Sequence, residues 1–302
     1  MDHPSPSARP INGTTQPPEP PREVTFEASD GVKLGGVLAR PAGEPRGVIV
    51  ILGAMAVASR YYRHFAEHLA SAGWVTLRFD YRGVGLSRRR SLRGDPTTLD
   101  DWVDRDTEAA LDYIRDRYAD LPLVLVGHSL GGQTIGLTSA ASRVDALVVV
   151  SAGSGWLGNW PPLQRLRLQA VMGALIPAVS RVAGYIPGWL GLGEDLPAGV
   201  AMQWRRWCLT PGYLTGAVDR SRLHYHDVDA PLLMWSFTDD DYAPARSTQQ
   251  MLSWYANASI EQRRLSPEDT GRKTGHFGFF RPPSSALWEQ TLQWLHDRLS
   301  IG

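Results

Sequence analysis

The chain has 302 residues carrying 31 basic and 31 acidic side chains, so its formal net charge is zero and it offers no basic face for nucleic acid. Cys208 is the only cysteine, which excludes an internal disulfide and a multi-cysteine zinc site and fits a reducing, cytoplasmic setting. The uncharged stretches Leu121 to Ser142 and Leu168 to Ser180 contain Gly, Ser, Gln or Pro, so no transmembrane segment is expected.

Residues 1–22 are rich in Pro, Ser and Thr and lack a basic-then-apolar signal, which predicts a disordered leader. Val24 to Ala28 and Val32 to Leu38 read as strands, and the Asp30-Gly31 turn between them predicts an antiparallel hairpin. Gly47 to Leu52 is a buried strand, and Tyr61 to Ala72 carries helical spacing through Tyr61, Phe65 and Leu69. A strand follows at Trp74 to Phe79. Thr98, three residues before Asp101, opens a helix whose apolar side holds Val103, Ala110, Leu111, Ile114 and Tyr118. Next come the aliphatic run Leu123 to Val126, a helix from about Gly132, and the strand Ala146 to Val150. From Trp156 to Tyr225 the alternation stops, with many aromatics and prolines and no clear strand. It resumes with a strand at Pro231 to Phe237, a helix near Ala245 to Tyr255, a weak strand at Ile260 to Leu265, and a final helix with the stripe Trp288, Leu292, Leu295 and Leu299. The pattern predicts an α/β chain with a mostly parallel twisted sheet covered by helices on both faces. Its core spans 23–155 and 226–302, and 156–225 is an insertion between two strands.

Gly127-His128-Ser129-Leu130-Gly131 sits between a buried strand and a helix. A Gly-x-Ser-x-Gly there is a nucleophile elbow. The tight turn lifts the serine hydroxyl off the sheet edge, and the helix N-terminus behind it favours developing negative charge. A serine needs a base to take its proton and an acid to orient that base, and in such chains the order is serine, acid, histidine. His276 lies after the last strand and before the last helix, where the base belongs. Of the others, His3 is in the leader, His64 and His68 read as a solvated helix face, His128 packs beneath the elbow, His224 and His226 precede a strand, and His296 is in the last helix. The acid should follow the strand ending at Phe237, where Asp239, Asp240 and Asp241 are all candidates. The plainer reading of these three is an acidic cluster stabilising the next helix. An oxyanion hole needs two backbone N–H donors. Leu130 supplies one, and Ala54 or Met55, in the loop after the third strand, the other.

These motifs resemble the α/β-hydrolase superfamily from about Val24 to the C-terminus. The resemblance extends to Asp80-Tyr81-Arg82-Gly83-Val84-Gly85-Leu86-Ser87, similar to an Asp-x-Arg-Gly-x-Gly-x-Ser loop that there mainly organises structure. Gly184-Tyr185-Ile186-Pro187, Gly193-Glu194-Asp195-Leu196-Pro197 and Gly275 to Arg281 look like a bacterial branch of predicted hydrolases with no settled substrate. Family acids often lie a few residues before a proline, and four before Pro244 is Asp240, with Asp239 second. The chain departs from the superfamily at Leu52-Gly53, where His-Gly is usual. The resemblance implies an α/β-hydrolase fold with a helical lid over 156–225.

Trp156, Trp160, Trp204 and Trp207 of the insertion, with Phe277 beside the base, are expected to line an apolar pocket over Ser129, although each tryptophan alone is better explained by packing the lid onto the core. Trp189 lies in the same insertion. An exposed apolar lid would also suit a membrane or a second subunit, as in a homodimer. The expected activity is hydrolysis of a carboxylic ester or thioester of a small acyl substrate through an acyl-enzyme on Ser129, with no cofactor and no metal. The alternatives are an acyltransferase using the same triad and a catalytically idle ligand-binding homologue.

Overall fold

The computed structural model describes residues 18–191 and 193–300. Most of the expected leader, 1–17, lies outside the described residues, and Arg22 already belongs to the first strand. Ten strands occur among the described residues: β1 Arg22–Glu27, β2 Lys33–Ala39, β3 Gly47–Leu52, β4 Trp74–Phe79, β5 Leu123–His128, β6 Ala146–Val150, β7 Tyr185–Ile186, β8 Leu196–Pro197, β9 Leu232–Phe237 and β10 Ile260–Leu265.

Eight of them form one sheet in the order β1-β2-β4-β3-β5-β6-β9-β10. The β1–β2 and β2–β4 pairs are antiparallel and the rest are parallel. This is the α/β-hydrolase fold. The central strands are aliphatic and buried on both sides, as helix-covered parallel strands require. The period of two sorts their side chains into two cores. Val48, Val50, Leu125, Leu147 and Val149 pack with Leu99, Trp102 and Leu111 on one face. Ile49, Ile51, Val124, Val126 and Val148 pack with Phe65, Leu69, Trp288 and Leu295 on the other. The helix Arg63–Ser71 and the final helix Ser285–Leu299 cover this second face.

The segment between β6 and β9 differs from its expected form in two places. It contains a small hairpin, β7 with β8, whose strands of two residues are too short to leave an alternating pattern. Its apolar stretch is also unbroken: Pro162–Ala183 is one 22-residue helical run, long and apolar enough, by length and composition alone, to cross a membrane. Pro177 lies inside this run, at the start of the helical stretch Ile176–Ala183 that follows the wider turn Val171–Leu175, and does not end it. One stripe of the run, including Met172 and Ile176, is buried against the protein, while Leu163, Leu166, Val171, Leu175 and Val182 face outward.

Candidate active site

Ser129 follows β5 directly and caps the helix Leu130–Thr134 with φ 51° and ψ −115°. Such a backbone costs roughly 1–3 kcal/mol for a residue with a Cβ and persists only where its surroundings hold it. Here the Ser129 N–H donates to the Val150 carbonyl at 3.0 Å. Close packing explains the flanking glycines. A Cβ on Gly127 would fall 2.5 Å from the Gly132 Cα, and one on Gly131 would fall 2.1 Å from the Leu52 carbonyl oxygen.

His276 comes from the loop between β10 and the last helix, at the carboxyl ends of the parallel strands. Its Nε2 is 2.9 Å from the Ser129 Oγ. Its Nδ1 is 2.9 Å and 3.0 Å from the two carboxylate oxygens of Asp240. A carboxylate only accepts, so it keeps the proton on Nδ1 and leaves Nε2 free to accept from the serine hydroxyl. The Asp240 Oδ1 also accepts the N–H groups of Tyr242 and Ala243, at 2.8 Å and 3.1 Å. Asp239 does something else: its Oδ2 accepts the Thr274 N–H at 2.9 Å, bracing the loop that carries His276. The side chain of Asp241 is exposed, and its carbonyl accepts from the Trp160 indole at 3.1 Å.

The Leu130 N–H belongs to the first helical residue after Ser129, where a helix leaves its amides without internal partners. The expectation for Ala54 is corrected. Its N–H donates to the Tyr62 hydroxyl at 2.8 Å and is not available to an oxyanion. The Met55 N–H has no acceptor among the described residues, so Met55 is the free donor of the two.

The aromatic positions divide as well. Phe277 is 37% exposed, with its ring 4.9 Å from the His276 imidazole, and Tyr242 lies 4.9 Å from the same imidazole on another side. Trp156, Trp160 and Trp204 are half-buried, and Trp156 and Trp204 pack against the core. Trp207 is corrected from a pocket residue to a core residue: it is fully buried, edge-on to Tyr213. Trp189 is almost wholly exposed. Tyr62 and Tyr242 were missed by sequence reasoning. Tyr62 stood unmarked at the head of an amphipathic helix, and no spacing rule singles out a residue just after the acid.

His128 is buried beneath the elbow, and that burial, with the His276 imidazole beside it, holds its own imidazole well below the usual histidine range. His68 lies 3.1 Å from Glu289 with its ring against Trp288, and the described residues hold no group of three or more metal-ligating side chains. The Asp80 carboxylate accepts from the Ser59 N–H and Oγ and the Leu86 N–H, at 2.6 Å, 3.0 Å and 2.9 Å. Burial raises its pKa, against the pull of those bonds.

Known proteins share this fold. The family described as "Serine aminopeptidase, S33" (Hydrolase_4) matches residues 43–191. The chain is 28% identical over 198 residues to a monoacylglycerol lipase of Mycolicibacterium smegmatis, a match covering 59% of this chain and 68% of that protein. Solved structures with the same fold include the Pyrococcus furiosus esterase Pf2001, at 14% identity and TM-score 0.57, covering 92% of this chain and 91% of that one. Est1E from Butyrivibrio proteoclasticus aligns at 19% identity and TM-score 0.55, covering 92% and 99%. The chain has the α/β-hydrolase fold and is similar in sequence to a serine hydrolase family and a lipase.

Proposed function

We propose that this protein is a serine esterase in which Ser129 is the nucleophile, His276 the general base and Asp240 the residue that orients it. The observation that carries the reading is the unbroken line from the Ser129 Oγ through the His276 imidazole to the Asp240 carboxylate, with each contact at 2.9–3.0 Å. The Ser129 Oγ attacks the ester carbonyl carbon while its proton passes to the His276 Nε2. The carbonyl oxygen becomes an oxyanion, held by the N–H groups of Leu130 and Met55. The tetrahedral intermediate expels the alcohol, which takes the proton from the His276 Nε2, and the acyl group stays on Ser129. Water then gives a proton to the His276 Nε2 as it attacks the acyl carbon, and the bond to the Ser129 Oγ breaks as that oxygen takes the proton back and the acid leaves. The likeness to a monoacylglycerol lipase and the aromatic mouth formed by Phe277 and Tyr242 favour an apolar acyl chain. Thioesters of such acids fit the same chemistry.

The test is labelling with a fluorophosphonate, followed by hydrolysis of esters and thioesters of rising chain length. Wild type is expected to be labelled at Ser129 and Ser129→Ala is not. Labelling that survives Ser129→Ala assigns the nucleophile elsewhere. An intact protein that neither labels nor hydrolyses any member of the series is a binding protein and not an esterase.

A further inference from the structure

Beneath the elbow a second hydrogen-bonded line joins two loops that the proposed reaction needs. The Ala54 N–H donates to the Tyr62 Oη at 2.8 Å. The Tyr62 Oη lies 2.9 Å from the His128 Nδ1, and the His128 Nε2 lies 2.9 Å from the His276 carbonyl oxygen. Tyr62 and His128 are 1% and 0% exposed, so these bonds are shielded from bulk solvent. The ends of the line set its direction. A backbone amide only donates and a carbonyl only accepts. Each proton between them therefore has one place: the Tyr62 hydroxyl donates to Nδ1, and the His128 Nε2–H donates to the His276 carbonyl. An imidazolium would turn a second N–H toward the phenol and leave the phenol proton without an acceptor.

The surroundings brace this line. The neighbouring Tyr61 hydroxyl donates to the Phe277 carbonyl, so two adjacent tyrosines hold the loop that bears the base. The turn Ser59–Tyr62 is itself held by the Asp80 carboxylate. This links the Asp-x-Arg-Gly segment to the site. The Ala54 N–H precedes the peptide bond whose own N–H belongs to Met55, so fixing Ala54 limits where the Met55 donor can move.

We infer that Tyr62 and His128 are positioning residues that tie the oxyanion loop at Ala54-Met55 to the base loop at His276, setting both against Ser129 as one unit. This rests on the esterase reading above and adds to it. Neither side chain touches substrate, so both act through geometry. A misplacement of about 1 Å in such a site is enough to cost on the order of 100-fold in rate.

Two measurements test the inference. In the folded wild-type protein, nitrogen NMR with labelled histidine is expected to show His128 neutral with its proton on Nε2. A proton on Nδ1, or an imidazolium at neutral pH, overturns the assignment, and this result needs no variant. In steady-state hydrolysis of a p-nitrophenyl ester, Tyr62→Phe and His128→Leu are each expected to lower kcat by about 10- to 100-fold with KM within about twofold. His128→Gln keeps an acceptor and a donor on either side of one carbon, as the imidazole has, and is expected to restore most of kcat. The double variant Tyr62→Phe/His128→Leu is expected to lose no more than the worse single variant, because one line is broken once. Single variants within about twofold of wild-type kcat, or losses that multiply in the double variant, overturn the inference. If wild type labels at Ser129 while the variants are kinetically unchanged, this inference falls alone. If wild type fails to label, the esterase reading falls and takes this one with it.

Discussion

Asp240 faces His276 with both carboxylate oxygens, at 2.9 Å and 3.0 Å from one ring nitrogen, while its neighbour Asp239 bonds only to the Thr274 backbone. Two adjacent aspartates thus hold the same loop, one through the imidazole and one through the main chain.

Their substitution effects should separate. In the proposed esterase, Asp240→Asn puts an amide against Nδ1 and favours the wrong imidazole tautomer, so kcat is expected to fall by about 10,000-fold. Asp239→Asn keeps an acceptor for the Thr274 N–H, and its loss is expected to be smaller by at least about 100-fold. Ester hydrolysis by the two purified variants decides this. Equal losses would mean that the acid role is not confined to Asp240.

His128 makes stability depend on pH. Its folded pKa is depressed by burial and by the nearby His276, and Tyr62 and His276 are the titratable groups that face it. The unfolded chain therefore binds a proton below about pH 6.5 that the folded chain refuses. Stability is fully present above that pH and is lost as pH falls, by up to about 1.4 kcal/mol per pH unit from this group. Urea unfolding of wild type and His128→Gln between pH 7 and pH 5 measures it. The difference between the two proteins should shrink as the pH drops, and a constant difference would count against a neutral buried imidazole.

The helical run Pro162–Ala183 is held by one stripe only. Met172 and Ile176 are each 3% exposed, whereas Leu163 and Leu166 are 65% and 64% exposed. Met172→Ala and Ile176→Ala should each cost about 2–4 kcal/mol if the run unfolds with the core. Leu163→Asp and Leu166→Asp should stay within about 0.5 kcal/mol of wild type. Denaturant midpoints compare all four, and a large loss at Leu163 would place a partner surface there.

Two glycines should respond in opposite ways. Gly131→Ala sets a Cβ against the Leu52 carbonyl at the end of β3, a backbone clash that no rotamer relieves, and should cost more than about 3 kcal/mol. Gly173 meets nothing within 4 Å and lies in helical backbone, so Gly173→Ala should gain about 0.5–1 kcal/mol. Thermal melts of both variants give the signs directly.

Much of this protein is written locally. β3, β4 and β6 occupy the very residues their β-branched and apolar runs predict, because a buried strand imposes its composition on each position it fills. The elbow is local in part: Gly127 answers contacts with Gly131 and Gly132 of its own turn, whereas Gly131 answers the Leu52 carbonyl at the end of β3. What needed the tertiary structure was every choice between like neighbours. Asp239, Asp240 and Asp241 are the same residue in one loop, and they differ only in what a loop some 36 residues away brings to them. Ala54 and Met55 are both backbone donors, and a tyrosine side chain decides which one is spent. Trp207 and Trp189 have identical chemistry, yet one is buried and the other faces solvent. Composition and spacing report the environment of a residue within its own element. The partner of a hydrogen bond or the neighbour of a ring is settled where distant segments meet, and no local pattern encodes it.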